Sequence, residues 1–338
     1  MPFGDGAEQV DNLYARLGGT GDNFCFAGHM DVVPEGNAAH WTTSPFGGAV
    51  ADGHLLGRGA ADMKGAIAAF VAAAAAFAGQ AGAAHCSVSL LITGDEEGPA
   101  INGSRRLVDW LRDKGEALDA ALVGEPTSAR RLGDTIKIGR RGSVNCRLRV
   151  RGAQGHVAYP ERADNPLPGL VARLSRLLGA EIDRGNDYFG PSGLALTSID
   201  VGNRAHNVTP AEGTAKFNIR FNNDHTGDDI IAWLHDRLSA VDGPYDLEAI
   251  VTGEAFLSPP GRLTGALEGA IKDVCSIAPV YNTTGGTSDA RFIRELCPVA
   301  ELGLVGTSMH KVDESAPLDD IRRLADIYLG TLRRYFGA

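Results

Sequence analysis

The sequence predicts an α/β fold: a larger mixed-sheet domain into which a smaller α+β domain is inserted. Three observations lead there. Up to about residue 140 the chain alternates continuous apolar strands with helical stretches, the pattern of a sheet covered on both faces. From Gly142 the strands instead alternate apolar and polar residues, as half-buried antiparallel strands do. After about Pro260 the first style returns. The expected boundaries are therefore 1–141 with 255–338 for the larger domain and 142–254 for the insert.

In order along the chain, residues 24–28 are apolar throughout and read as a buried strand. Residues 64–78 set Ile67, Phe70, Val71 and Phe77 among alanines, the strongest helix formers, and read as a buried helix. Its apolar run, 66–78, falls short of the roughly 20 residues a bilayer requires. A strand at 86–93, a helix at 102–114 and a strand at 120–124 follow. In the insert, "SVNCRLRVRG" sets Val144, Cys146, Leu148 and Val150 against polar neighbours. A helix in "NPLPGLVARLSRLLGAEI", strands near 194–201 and 214–221, a helix in "GDDIIAWLHDRLSAV" and a strand at 246–251 complete it. That is the β-α-β-β-α-β order of a small α+β sandwich. Helices near 263–274 and 319–336 close the chain.

Bulk properties narrow the function. A length of 338 residues exceeds one small core, in keeping with two domains. The formal net charge of −10 argues against a nucleic-acid or anionic-membrane surface, while leaving room for a local basic pocket that takes an acidic small molecule. Cys25, Cys86, Cys146, Cys275 and Cys297 are odd in number and never in C-x-x-C spacing, which predicts reduced thiols and a cytoplasmic protein. Cys25 and Cys86, in apolar runs, read as small core residues. No signal peptide is read ahead of the first strand.

The chemistry gathers at strand ends. His29 and Asp31 close the first strand, Glu96 and Glu97 in "LLITGDEEG" the second, and Glu125 in "ALVGEPTS" the third. Open α/β sheets bind ligands in the crevice outside the carboxyl ends of their strands. Asp62, just ahead of the alanine-rich helix, can reach the same crevice, although Asp is equally at home as a helix N-cap. Singly, a strand-end Glu is most often a solvated turn residue and a lone His a satisfied surface or core group. Together, several carboxylates in one crevice repel each other unless a cation neutralises them. Imidazole and carboxylate suit Zn²⁺ or a similar divalent ion, and "GTSMHKVDE" offers a second histidine, His310. Adjacent Glu96 and Glu97 point in different directions, so one can bind metal while the other faces the water.

"GHMDVVPEG", "GRGAADMKG", "TGDEEG", "GEPTS", "QGHVAYP", "TTGGTSDARFI" and "MHKVDE" occur in the order found in the M20-type co-catalytic zinc peptidases, and the chain resembles that family over about residues 1–335. The motifs match best those members that release succinate from an N-succinyl amino acid in lysine and diaminopimelate synthesis. The resemblance implies two zinc ions about 3.5 Å apart, with Co²⁺ able to substitute. It implies that His29 and Glu125 hold one ion, Glu97 and His310 the other, and that Asp62 bridges them. Asp31 would orient the imidazole of His29, and Glu96 would be the general base. It further implies a homodimer whose inserted domain serves dimerisation and acts as a lid, with His156 reaching the partner's site to stabilise the oxyanion. Arg140, Tyr159, Asn207, Arg220, Gly286 and Thr287 would contact the substrate, with Arg141 an alternative to Arg140. Guanidinium forks suit a substrate with several carboxylates, although either arginine also reads as a strand-surface charge.

Members of the family carry roughly 40 residues ahead of the segment matching "MPFGD", so the resemblance implies a shortened start that exposes apolar surface on the large sheet. Two rival readings stay open from sequence. One is a deacylase or carboxypeptidase of the same family, such as an acetylornithine deacetylase, since a few pocket residues redirect specificity. The other is a catalytically silent dimer that binds an amino-acid derivative.

Overall fold

The computed structural model describes residues 1–19, 21–79 and 85–338. It divides into two compact units, the larger formed by Met1–Gly139, Ser258–Asn282 and Ser288–Ala338, the smaller by Arg140–Leu257 with Thr283–Thr287. The sequence placed residues 283–287 with the larger unit. They group with the smaller one because the Thr283 hydroxyl donates to the Tyr188 carbonyl (2.6 Å) and Arg140 donates to that of Gly286 (3.1 Å).

After a short hairpin-like pairing of Pro2–Phe3 with Val10–Asp11, the larger unit supplies strands β1 (Leu13–Gly18) and β2 (Asn23–His29), helix α1 (Gly65–Ala78), β3 (Ser87–Thr93), α2 (Ser104–Lys114), β4 (Ala120–Val123) and β5 (Thr135–Lys137). The smaller unit supplies β6 (Gly142–Arg151), α3 (Pro166–Leu178), β7 (Gly193–Asp200), β8 (Glu212–Phe221), α4 (Gly227–Ser239) and β9 (Asp246–Gly253). Helix α5 (Arg262–Cys275), β10 (Val280–Asn282), β11 (Val299–Glu301) and α6 (Leu318–Phe336) return to the larger unit.

The larger sheet has the order β10-β5-β11-β4-β2-β3-β1. Its centre is parallel: β2 pairs with β3 and with β4, and β4 with β11. β1 runs antiparallel to β3 at one edge, and β5 antiparallel to β11. β2 is buried at every position, which explains its unbroken apolar run. Phe24 and Phe26 point to one face, where the Phe26 ring lies 4.4 Å from that of Phe70 on α1 and 5.6 Å from that of Tyr328 on α6. Each fully buried side chain of this kind contributes about 1.5–3 kcal/mol. The four short or exposed strands β1, β5, β10 and β11 escaped the sequence reading, since three-residue strands carry no period and β1 is mostly exposed.

Counted with the distorted turn before it, Ala60–Ala78 is long and apolar enough, by length and composition, to cross a membrane. The regular helix α1 has only 14 residues, about 21 Å at the α-helical rise, against a hydrocarbon core of about 30 Å. Ala66, Ala69, Phe70, Ala73 and Phe77 are buried within the unit.

The smaller unit is an antiparallel sheet of order β7-β8-β6-β9, with α3 and α4 packed on it. Val144, Cys146, Leu148 and Val150 meet Ala215, Phe217, Ile219 and Phe221 with Leu170, Leu174, Leu177, Ile230, Leu234 and Leu238 in one core. Cys25, Cys146 and Cys297 are buried, Cys86 is only partly buried rather than a core residue, Cys275 is likewise partly buried, and all five are free thiols.

Candidate metal centre

Parallel pairing aligns the strand ends that carry the chemistry. His29 at the end of β2 sits beside Thr93 at the end of β3, and Ala27 beside Val123 at the end of β4. Glu96, Glu97 and Glu125 therefore leave the sheet along the edge where His29 ends. Two strand-end glycines shape this edge. A Cβ on Gly28 would lie 2.7 Å from the Met63 methyl, and one on Gly124 would lie 2.5 Å from Phe26 and 2.7 Å from the same methyl. A side chain at either position would displace the Met63 methyl, and one at Gly124 would also meet the Phe26 ring.

Asp62 does not cap α1, whose N-cap position is Lys64. It sits in the turn Ala60–Lys64, followed by a cis peptide to Met63, and faces two histidines. Its Oδ1 is 3.2 Å from His29 Nε2 and its Oδ2 is 3.1 Å from His310 Nε2. One carboxylate thus presents an oxygen to each imidazole. His310 Nε2 is also 2.9 Å from Glu97 Oε1, and His29 Nε2 is 3.7 Å from Glu125 Oε1. His29 is buried and His310 is open to solvent. The loop holding His310 is over-determined, as its left-handed φ of +62° requires. Ser308 Oγ donates to the Ser315 carbonyl (2.7 Å), and Asp313 accepts from the backbone and hydroxyl of Thr42.

Asp31 divides its work. Its backbone carbonyl accepts from His29 Nδ1 (2.9 Å), which leaves Nε2 facing the cluster. Its carboxylate lies 3.6 Å from Nδ1 and accepts instead from the backbone N–H groups of Glu96 (3.0 Å) and Glu97 (2.9 Å). The residue that aims the histidine also sets the turn carrying both glutamates. Neighbouring Asp95 braces that turn from below, accepting from the N–H groups of Ala100, Ile101 and Asn102.

The electrostatics are those of a cation site. Burial opposes charge on His29, yet the hydrogen bond to Asp62 and the fields of Glu125, Glu96 and Asp62 outweigh it and lift its pKa to about 11. Burial, then Asp289, push Glu96 up to about 8. Burial with Glu96 and Asp62 holds Glu125 well above the carboxylate range, and burial with Asp62 raises Glu97. Donor atoms of His29, Asp62 and Glu97 lie within 4.8 Å of one another, as do those of His29, Glu96 and Glu125. Glu125 Oε1 is buried without a hydrogen-bond partner, as expected of an atom shaped to meet a metal. Two imidazoles with carboxylates fit Zn²⁺ or a similar divalent ion.

The candidates of the smaller unit form a separate set. His156 is exposed, its Nδ1 accepting from Ala158 N–H and its ring 5.7 Å from that of half-exposed Tyr159. The Asn207 carbonyl accepts from Val157 N–H. Arg140 is buried and donates to Gly286, while Thr287 is partly buried. Arg220 Nη1 is buried without a partner, and burial with Arg141 lowers the guanidinium's pKa. Among the described residues no carboxylate is paired with Arg141 or Arg220.

Two residues of the larger unit escaped the sequence reading. Asp289 is a buried carboxylate whose pKa burial lifts to about 6, against the opposing pull of a hydrogen bond from Ser104. Glu314 is fully buried. Both stand inside quoted motifs, "TTGGTSDARFI" and "MHKVDE", and that position was the available signal.

The chain is similar to curated proteins over nearly its whole length and to solved structures in fold. A protein of Rhodospirillum centenum named succinyl-diaminopimelate desuccinylase is 56% identical over 337 residues, 99% of this chain and 87% of its own length. One of Caulobacter vibrioides with the same name is 52% identical over 342 residues, covering 100% and 86%. The M20 family metallo-carboxypeptidase Sso-CP2 from Sulfolobus solfataricus has the same fold at 16% identity, with a TM-score of 0.76 over 97% of this chain and 88% of that one. The model of Peptidase family M20/M25/M40 matches residues 25–334, from the core of β2 to the last helix, and the chain belongs to that family.

Proposed function

We propose that this chain is a metal-dependent amide hydrolase that converts N-succinyl-L,L-2,6-diaminopimelate and water to succinate and L,L-2,6-diaminopimelate. The observation that carries the hydrolase reading is the Asp62 carboxylate, one oxygen toward His29 and the other toward His310. The substrate follows from relatives of that name at 50–56% identity over 98–100% of the chain.

In this reading His29 and Glu125 would hold one Zn²⁺, Glu97 and His310 would hold a second, and Asp62 would serve both, with Co²⁺ able to substitute. When bound, the metals acidify water and polarise the scissile carbonyl. Asp31 fixes the His29 tautomer through its carbonyl and the Glu96–Glu97 turn through its carboxylate. Glu96 takes the proton of the attacking water and returns it to the departing amine.

Arg140, Tyr159, Asn207, Arg220, Gly286 and Thr287 are the proposed substrate contacts. The unpartnered Arg220 nitrogen beside Arg141 supports a carboxylate-rich ligand. The smaller unit is proposed to dimerise and to act as a lid, with exposed His156 serving the partner's oxyanion. Free thiols fit a reducing cytoplasm.

The test is substrate competition with zinc-loaded protein. Succinate release from N-succinyl-L,L-2,6-diaminopimelate is expected at a higher kcat/KM than cleavage of N-acetylornithine or dipeptides. Faster N-acetylornithine cleavage would overturn the substrate, and no turnover of any of them would overturn the hydrolase.

A further inference from the structure

The motif "MHKVDE" ends on a residue for which the proposed chemistry has no use. Glu314 is 0% exposed, yet it lies in no apolar pocket. Its Oε1 accepts three backbone N–H bonds, from Gly59 (3.1 Å), Ala61 (3.0 Å) and Asp62 (3.1 Å). Its Oε2 accepts from Arg58 Nη1 at 2.7 Å. Its own carbonyl accepts from Gly57 N–H (2.9 Å), and Ser315 and Ala316 pair with Leu56 and Leu55.

Arg58 extends the link. Nη1 also donates to the Lys311 carbonyl (3.2 Å) and Nη2 to that of Pro34 (3.3 Å), while the guanidinium lies 5.2 Å from the Trp41 ring centre. The Glu314–Arg58 pair therefore ties together three segments: the loop after His29, the turn bearing Asp62 and the loop bearing His310. Gly59, with φ of +85°, lets the turn bend so that its N–H groups converge on one oxygen.

We infer that Glu314 is a positioning residue: it fixes Asp62 between His29 and His310 by gripping the backbone of the Asp62 turn, with Arg58 holding its second oxygen. The inference rests on the metal-dependent reading above. A glutamine at this position has nearly the same shape but fails chemically. Its NH₂ group faces either the three backbone N–H donors or the Arg58 donor, so one set of donors meets another. Relaxing the grip frees Asp62 to swing, and outer partners of this kind change metal affinity by about 10–100-fold.

The test titrates wild type and Glu314→Gln with zinc against a fluorescent chelator, alongside kcat, KM and Tm. Wild type is expected to bind two zinc ions. Glu314→Gln is expected to bind at least one of them about 10–100-fold more weakly, with kcat reduced and KM within about threefold. A wild type that binds no zinc overturns the metal reading itself. A variant with lowered Tm but wild-type zinc affinity and kcat overturns the positioning role alone, because a purely structural residue gives that result. Should Glu314→Gln not fold, Arg58→Gln frees the second oxygen of Glu314, so the carboxylate can turn away from the three N–H groups, and is expected to weaken zinc by about tenfold. Unchanged zinc affinity in that variant overturns the inference.

Discussion

Glu96→Gln separates the general base from the metal ligands, because it changes one charge and almost no volume. The backbone N–H of residue 96 keeps its bond to Asp31, so the turn that carries Glu97 should stay in place. General-base catalysis contributes about 10²–10⁴-fold, so kcat is expected to fall by that factor. At 1.36 kcal/mol per decade this is about 2.7–5.4 kcal/mol of lost transition-state stabilisation. KM is expected to change little, and two zinc ions should remain per chain. The assay is succinate release under saturating substrate, with metal content measured on the same sample. Activity within tenfold of wild type would refute Glu96 as the base. Loss of zinc would refute it differently: Glu96 also lies in a donor cluster with His29 and Glu125, and that outcome would make it a ligand.

Two further expectations follow from the same cluster. With metal stripped by a chelator, Glu96 (about 8), Glu97 and Glu125 all hold protons more tightly folded than unfolded, and so does His29 (about 11). The folded state then binds the extra protons, so the stability of stripped protein should fall as pH rises from about 4.5 upward. Melting at pH 6 and pH 9 checks this, and a flat or rising Tm in the stripped protein would contradict it. Asp31→Ala removes the acceptor for the Glu96 and Glu97 N–H groups and should cost about 1–3 kcal/mol for each donor left unpaired. A lower Tm together with about 10–100-fold weaker zinc binding is the expected pair of readings, and an unaltered chelator titration would refute the second half.

Much of this site is legible in one dimension for a physical reason. Parallel strands buried on both faces must be apolar until they surface, so the first ionisable residues after each run mark the sheet edge. His29, Glu96 with Glu97, and Glu125 follow directly, and the switch to alternating residues at Gly142 marks the inserted sheet. The helix starting near residue 64 is legible from its alanines, and the antiparallel edge strand β1 is not, because its exposed pattern resembles a loop.

Atom-level roles came only from packing. Sequence treats Asp31 as one residue with one task, whereas the fold gives its carbonyl to His29 and its carboxylate to the glutamate turn. Sequence leaves Asp62 open between helix cap and ligand, and the turn at Ala60–Lys64 turns it away from the helix toward both histidines. For Glu314 the one local signal is its place in "MHKVDE", which says nothing of its role, since its partners at Arg58, Gly59, Ala61 and Asp62 are brought to it by the pairing of Ser315 with Leu56. Residue type and local pattern determine which groups can do chemistry and where each strand releases them. Which oxygen faces which nitrogen depends on contacts between segments distant in the chain, and only the tertiary structure decides those.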